Sequence, residues 1–314
     1  MAARHASELE LLRFDDDFDG SIRLDEPMSR HTTYRIGGLV RAFVEVNSIC
    51  SLSTILKVCL QEHLSWYVAG KGSNLLVADE GFDGVVIALA GDFRRWCFDD
   101  DAQRVTVGAG TMLSRIVQEV FHRGYSGLEF AVGTPGTVGG ALIQNAGTRS
   151  DWIGSRVASV TTFSATEGLK RYLDSDLSWE YRTSSFVPDE IIVECELKLT
   201  RALSGNIHER MNTLLMRRKQ RQPLDVPSCG SVFRNPPDQS AGQLIESVGL
   251  KGRQCGGACI SDKHANFIVN KDNATAADVI ALMKLARREV RGAYGIELEP
   301  EVRFLGFSPD VLQD

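Results

Sequence analysis

The sequence predicts an α+β fold rather than a doubly wound α/β one, and three observations carry that reading. Between Arg41 and Leu89 a strand (41–46), a helix (51–63), a strand (66–69) and a further strand (84–89) follow one another in a compact unit. The stretch Ile191–Leu199 alternates: Ile191, Val193, Cys195, Leu197 and Leu199 line one face, and Glu194, Glu196 and Lys198 the other. A strand with a charged face is half exposed and cannot be the central strand of a sheet covered on both sides. The third observation is an absence: no strand leads into GxGxxG, a helix and a later acidic residue, and no P-loop occurs, since Lys71 is followed by Gly72.

The remaining elements follow in order. Residues 1–20 read as a loose acidic tail, with Asp15, Asp16, Asp17 and Asp19 facing solvent. Arg104–Gly108 is a strand, and Thr111 stands as the cap of a helix whose Leu113, Ile116, Val117, Val120 and Phe121 share one side. Further strands fall near 157–163 and 191–199, and a polar helix at about 208–221 links into a third region. After Asn273, Thr275 and Asp278 have capping-box spacing, with aspartate in place of glutamate. Val279, Leu282, Met283, Ala286 and Val290 then repeat at helical spacing and read as core. A short strand, Glu299–Gly306, ends the pattern, and no internal repeat is present.

Composition excludes several classes. With 314 residues, 43% hydrophobic and 24% charged, the chain is an ordinary globular one with room for more than one domain. A net charge of −6 offers no basic field to a nucleic acid. No apolar run is long enough to span a membrane and the N-terminus has no signal-type apolar core, so the expected location is cytoplasmic. The seven cysteines are odd in number and none forms CxxC; with six histidines and no HExxH, neither a disulfide framework nor a metal site is expected.

Two glycine-rich segments look built to approach a ligand. One is Gly70-Lys71-Gly72-Ser73-Asn74-Leu75 after a strand; the other is Gly133-Thr134-Pro135-Gly136-Thr137-Val138-Gly139-Gly140, running on to Asn145-Ala146-Gly147. Glycine frees φ there, consecutive N–H groups can form an anion nest, and a helix starting near Val138 would add its positive end. From the residues alone each loop is open between a phosphate contact and a tight turn. Two in one chain suit a dinucleotide without saying which. The segment Ser228-Cys229-Gly230-Ser231-Val232-Phe233-Arg234-Asn235-Pro236 likewise reads as a polar turn by composition. Arg182 alone reads as a surface or salt-bridge arginine, and Glu301 as a solvent-facing carboxylate.

The order of these segments changes that reading. HTTYRIGG at 31–38, GKGSN at 70–74, the Gly133–Gly147 loop, YRTSSF at 181–186, GSVFRNP at 230–236, KHANFIVN at 263–270 and LEPEV at 298–302 together resemble the bacterial UDP-N-acetylenolpyruvoylglucosamine reductase family. The resemblance covers about 28–306 and implies a two-subdomain FAD-binding fold of the vanillyl-alcohol-oxidase-like flavoproteins plus a C-terminal α+β substrate domain. Outside the acidic tail at 1–20 and a C-terminal tail at 307–314, it implies subdomains at 21–90 and 91–205, the second with a returning strand at 298–306, and a substrate domain at 206–297. The short connection from Phe186 to Ile191 resembles the type without an inserted tyrosine-bearing loop. The chain departs from the family at Thr134 (usually Ile), Thr148-Arg149-Ser150 (usually Ala-Tyr-Gly) and Cys229 (usually Ala).

The resemblance further implies FAD as cofactor, NADPH as co-substrate and a UDP-sugar enolpyruvyl ether as substrate, in peptidoglycan precursor synthesis, with no obligate protein partner. By it, hydride reaches the vinyl carbon C3 through the flavin, Ser231 protonates C2, Arg182 stabilises the charge on the substrate carboxylate, and Glu301 sits on that carboxylate side. Two carboxyl groups that close disfavour dual ionisation, so a protonated Glu301 donating a hydrogen bond is a hypothesis that leaves its protonation state open. Arg35, Gly70, Lys71, Gly72, Ser73, Asn74, Leu75, Gly133, Thr134, Pro135, Gly136, Thr137, Gly140, Asn145 and Gly147 are implied cofactor contacts. Asn235 is implied for the diphosphate, with Lys219, Lys251 and His264 as diphosphate or uridine-side candidates. The competing readings are another flavin enzyme on the same scaffold and a non-catalytic flavin- or nucleotide-binding protein.

Overall fold

A computed structural model describes residues 7–12, 15, 17–148 and 150–313. The chain forms two compact units. Unit one comprises residues 1–24, 42–70 and 84–215; unit two comprises 25–41, 71–83 and 216–314.

In unit one the expected strand–helix–strand module is present. Ile49–Gln61 is a helix whose N-cap Ser48 accepts from the Ser51 N–H, and its Leu52, Ile55, Leu56 and Cys59 are buried. Ser65–Val68 pairs in parallel with Phe82–Leu89, in a four-stranded sheet ordered Gly20–Pro27, Leu39–Val46, Phe82–Leu89, Ser65–Val68. The second sheet has five strands in the order Gly168–Leu173, Val157–Ser164, Ile191–Lys198, Arg104–Gly108, Trp96–Asp99, all neighbours antiparallel. The alternating strand is therefore central, and its charged face fits because an antiparallel sheet can leave one side wet. Glu196 on that face binds Arg104 at 3.0 Å.

Three expectations are corrected in this unit. Thr111 does not cap the helix Leu113–His122: Met112 takes the cap position without a side-chain bond, and Thr111 is buried. The main chain of Thr111 is instead committed to Val138, whose N–H it accepts at 2.9 Å. The N-terminal segment is not merely a loose tail, because it forms a short helix, Glu8–Leu12, whose Leu9 is 1% exposed in the core. Asp15, Asp17 and Asp19 are exposed as expected, whereas Asp16 lies outside the described residues. The linker helix begins earlier than 208, at Ser204, and runs to Arg221.

Unit two is built on a four-stranded antiparallel sheet ordered Ser228–Ser231, Phe267–Asn270, Ala258–Ile260, Gln254–Cys255. The helix Ala276–Tyr294 carries the expected capping box between Thr275 and Asp278, ends at Gly295 in the left-handed conformation, and buries Val279, Leu282, Met283, Ala286 and Val290. Both oxygens of Asp79 accept from the first turn of that helix, from Ala276 and Ala277 N–H at 2.8 and 2.9 Å. The terminal strand Arg303–Leu305 pairs in parallel with Leu75–Val77. It thus belongs with 71–83 and 216–314 rather than with 91–205. The last residues are not a free tail either, since Phe307, Val311 and Leu312 pack on the core of this unit.

Candidate active site

In unit two the segment His31–Gly38 is a plug behind the Ser228–Ser231 strand. The Thr33 hydroxyl donates to the Ser228 carbonyl at 2.7 Å, and Thr33 N–H to Gly72. Tyr34 is fully buried; its hydroxyl donates to the Ile268 carbonyl at 2.8 Å, and Asn270 donates to its carbonyl at 3.0 Å. Sequence reasoning placed this motif in the family but gave Thr33 and Tyr34 no task. The signal was present as a tyrosine amid small and polar residues, but the partners of Thr33 and Tyr34 stand 195 and 234 residues away.

Ser231 ends its strand after a bulge. Ser228 faces Val269 and Ser231 faces Phe267, so three steps on one strand match two on its partner, with Gly230 at φ +84° between them. The next residue draws in the terminal segment: Glu301 N–H donates to the Val232 carbonyl at 2.8 Å, Phe233 bridges Pro300, and Arg234 N–H donates to Glu299. The structure thereby brings Glu301 beside Ser231 through main-chain bonds. Asn74 secures the same segment, its amide donating to the Glu301 carbonyl at 3.0 Å while its own carbonyl accepts from Arg303.

Cys229 is buried two residues before Ser231. Burial, helped by the nearby Glu301 and opposed by its own backbone and the Tyr34 hydroxyl, pushes its thiol up to about 12.

The substrate-side candidates divide. Burial lowers the His264 pKa, and Lys251 lowers it further. Its Nδ1 accepts from Asn266 N–H at 3.2 Å, which places the proton of the neutral ring on Nε2. Lys251 pairs with Glu246 at 2.7 Å, and His264 lies against Gly242 of the same helix, Ala241–Ser247. Asn235 accepts from Ala241 N–H at 3.0 Å. These three therefore share one helix as neighbour. Lys219 stands apart in the exposed last turn of Ser204–Arg221.

Unit one holds Arg182 and the longer glycine loop. Gly133 and Gly136 have φ of +69° and +117°. Gly70 approaches so closely that a Cβ there would stand 2.4 Å from Thr137 Oγ1. Thr137 in turn caps the short helix Val138–Ile143 by accepting from Gly140 N–H at 3.4 Å. Thr148 closes the following turn on Asp151, and Arg149 lies outside the described residues. Arg182 has φ +60°, and its Nη1 donates to the Gly147 carbonyl at 3.0 Å.

In unit two, Arg35 and Lys71 are exposed, while Gly72 is buried with φ +61°. The loops of unit one fit a flavin dinucleotide on a second ground. Among the described residues, the buried Thr111 Oγ1 and Gln144 Oε1 next to that loop have no hydrogen-bond partner. Buried polar atoms of this kind are expected where a ligand supplies the partner. No cluster of metal-ligating side chains occurs among the described residues.

Paired with glycine turns at Gly70 and Gly133–Thr137, this architecture defines an FAD-binding oxidoreductase, and the model of the FAD binding domain matches residues 40–168. The C-terminal domain model of UDP-N-acetylenolpyruvoylglucosamine reductase matches residues 222–305. A reductase of that name from Symbiobacterium thermophilum is 40% identical over 295 residues, covering 92% of this chain and 94% of that one. Another, from Heliobacterium modesticaldum, is 41% identical and covers 93% of each. The crystal structure of the Thermus caldophilus reductase superposes with a TM-score of 0.78 at 37% identity, over 91% of this chain and 98% of that one. The chain belongs to the UDP-N-acetylenolpyruvoylglucosamine reductase family, and the expected fold class holds.

Proposed function

We propose that this chain reduces the enolpyruvyl ether of UDP-N-acetylglucosamine enolpyruvate to UDP-N-acetylmuramate with NADPH, working in the cytoplasm without an obligate protein partner. When bound, FAD supplies the hydride relay between NADPH and the vinyl carbon C3. Every other requirement falls to side chains. Addition of hydride at C3 leaves negative charge at C2 and its carboxylate, and C2 must receive a proton.

Ser231 donates that proton. A serine is a weak acid, so it acts only if held close and aligned. The observation that supports this role is the Glu301 N–H bond to the Val232 carbonyl, which fixes a carboxyl-bearing segment one residue from the hydroxyl. Glu301, protonated, donates to the substrate carboxylate, because two facing carboxylates disfavour double ionisation. Arg182 binds the same carboxylate through its planar, permanently charged fork and stabilises the enolate-like charge. Asn235, Lys251 and His264, gathered at one helix, serve the diphosphate and uridine end.

Stopped-flow mixing separates the two halves of the cycle. Ser231→Ala leaves flavin reduction by NADPH at the parent rate and slows reoxidation by the enolpyruvyl sugar nucleotide by about 10³-fold or more. Equal slowing of both halves would remove Ser231 from the proton-donor role. NADPH consumption that does not depend on this substrate would point instead to another flavin enzyme on the same scaffold.

A further inference from the structure

The Arg182 hairpin is fastened to the segment Ile143–Gly147 at three successive places. Trp179–Glu180 pairs with Thr183–Ser184, so Tyr181 and Arg182 form the turn. At Glu180, the carbonyl accepts from Asn145 Nδ2 at 2.9 Å. At Arg182, Nη1 donates to the Gly147 carbonyl at 3.0 Å. At Ser184, Oγ donates to the Ile143 carbonyl at 3.0 Å. The root of the hairpin is also seated: Trp179 packs so tightly on Gly154 that a Cβ there would be 2.4 Å from its ring.

Asn145 is the centre of this arrangement. It is 6% exposed and has φ +40°, a conformation asparagine tolerates better than most residues. Its Oδ1 accepts from Gly154 N–H at 3.1 Å while its Nδ2 reaches Glu180. One side chain thus ties the glycine loop to both the seat of Trp179 and the strand entering the turn. Arg182 itself is held at φ +60°, a strained conformation for a non-glycine residue that persists only where surroundings enforce it.

We propose that Asn145 is a positioning residue for Arg182: through Glu180 and Gly154 it sets the direction from which the guanidinium meets the substrate carboxylate. Its side chain thereby serves the substrate rather than the flavin, although it lies in the flavin-side loop. This rests on the reading of Arg182 as the carboxylate-binding group.

The test compares Asn145→Asp, Arg182→Ala and the double variant as holoenzymes. Asn145→Asp keeps the acceptor for Gly154, tolerates the same φ, and loses the donor to Glu180. Expected are unchanged flavin content and NADPH half-reaction, a substrate half-reaction slowed about 10–100-fold, and a raised substrate KM. In the Arg182→Ala background the second change adds no further slowing, since its effect passes through the missing guanidinium. Full additivity, or equal slowing of both half-reactions, would overturn the positioning role and leave that of Arg182 standing. A normal substrate half-reaction in Arg182→Ala would overturn both. Should Asn145→Asp yield no folded holoenzyme, Asn145→Gly, which accepts the same φ and removes the donor to Glu180, is read in the same way. Selective slowing of the substrate step supports the proposal, and no selective slowing refutes it.

Discussion

Replacing Gly230 by alanine tests how Ser231 is aimed. A Cβ built at Gly230 meets no heavy atom within 4 Å, so packing does not oppose the substitution. The backbone does, because φ is +84°. Holding an L-residue in left-handed space costs about 1–2 kcal/mol, which corresponds to a melting-temperature loss of about 3–8 °C for a unit of this size. The chain can relieve that strain by flattening the bulge, and a flattened bulge turns the next side chain away. The expected result is a protein that folds, binds flavin and is reduced by NADPH normally, but transfers to substrate about 10–100-fold more slowly. Gly72→Ala is the contrast: at φ +61° its Cβ would stand 2.4 Å from the His31 carbonyl oxygen and 2.8 Å from Thr32 Cα, so that variant loses the folded holoenzyme. Thermal unfolding and stopped-flow half-reactions read both. A Gly230→Ala protein with a lowered melting temperature and a parental substrate step would refute the aiming role. Collapse comparable to Gly72→Ala would refute the claim of open space.

Asn74→Ala removes the side-chain bond to the Glu301 carbonyl; a stability loss of about 1 kcal/mol is expected, with the substrate step weakened more than flavin retention, measured by flavin content and half-reaction rates. Thiol reagents at pH 8 label Cys50 and Cys97, which are exposed, while Cys229 stays unlabelled because it is buried and its thiol is pushed up to about 12; native-rate labelling at Cys229 would contradict this. For His264, burial lowers the folded-state pKa below the ordinary 6.5, so the unfolded chain binds the extra proton first. Stability from this group is present above about pH 6.5 and is lost as pH falls through the lower folded value. His264→Asn, which keeps an acceptor toward Asn266, flattens the melting-temperature profile between about pH 7 and pH 5, and parallel profiles would reject the assignment.

Local signals were legible where a residue and its partner lie close in the chain. Thr275 and Asp278 meet within one turn, and the apolar stripe of Ala276–Tyr294 needs only helical spacing. The alternation of Ile191–Lys198 was equally plain, and the structure added only that the strand is central in an antiparallel sheet. The misreading at Thr111 shows the limit: threonine before an apolar run satisfies the capping pattern, yet tertiary pairing with Val138 fixes its backbone elsewhere. Likewise the terminal strand could be recognised as a strand, but its parallel partner at Leu75–Val77 is set by closure over more than two hundred residues, which no window of sequence contains.

The same division runs through the proposed catalytic groups. Ser231, Arg182 and Glu301 were legible as residue types in ordered motifs, whereas the means of holding them were not. Ser231 depends on a bulge, Glu301 on a bond from its N–H to the Val232 carbonyl, and Arg182 on a left-handed turn latched at Glu180, Arg182 and Ser184. The devices holding Glu301 and Arg182 use main-chain carbonyls as partners, and carbonyls are present at every position of any sequence. Their identity therefore leaves no mark in composition; only the residues that reach them do. The resemblance implies Asn74 and Asn145 as flavin contacts; it carries no sign that their side chains donate to the carbonyls of Glu301 and Glu180, beside groups proposed to act on the substrate.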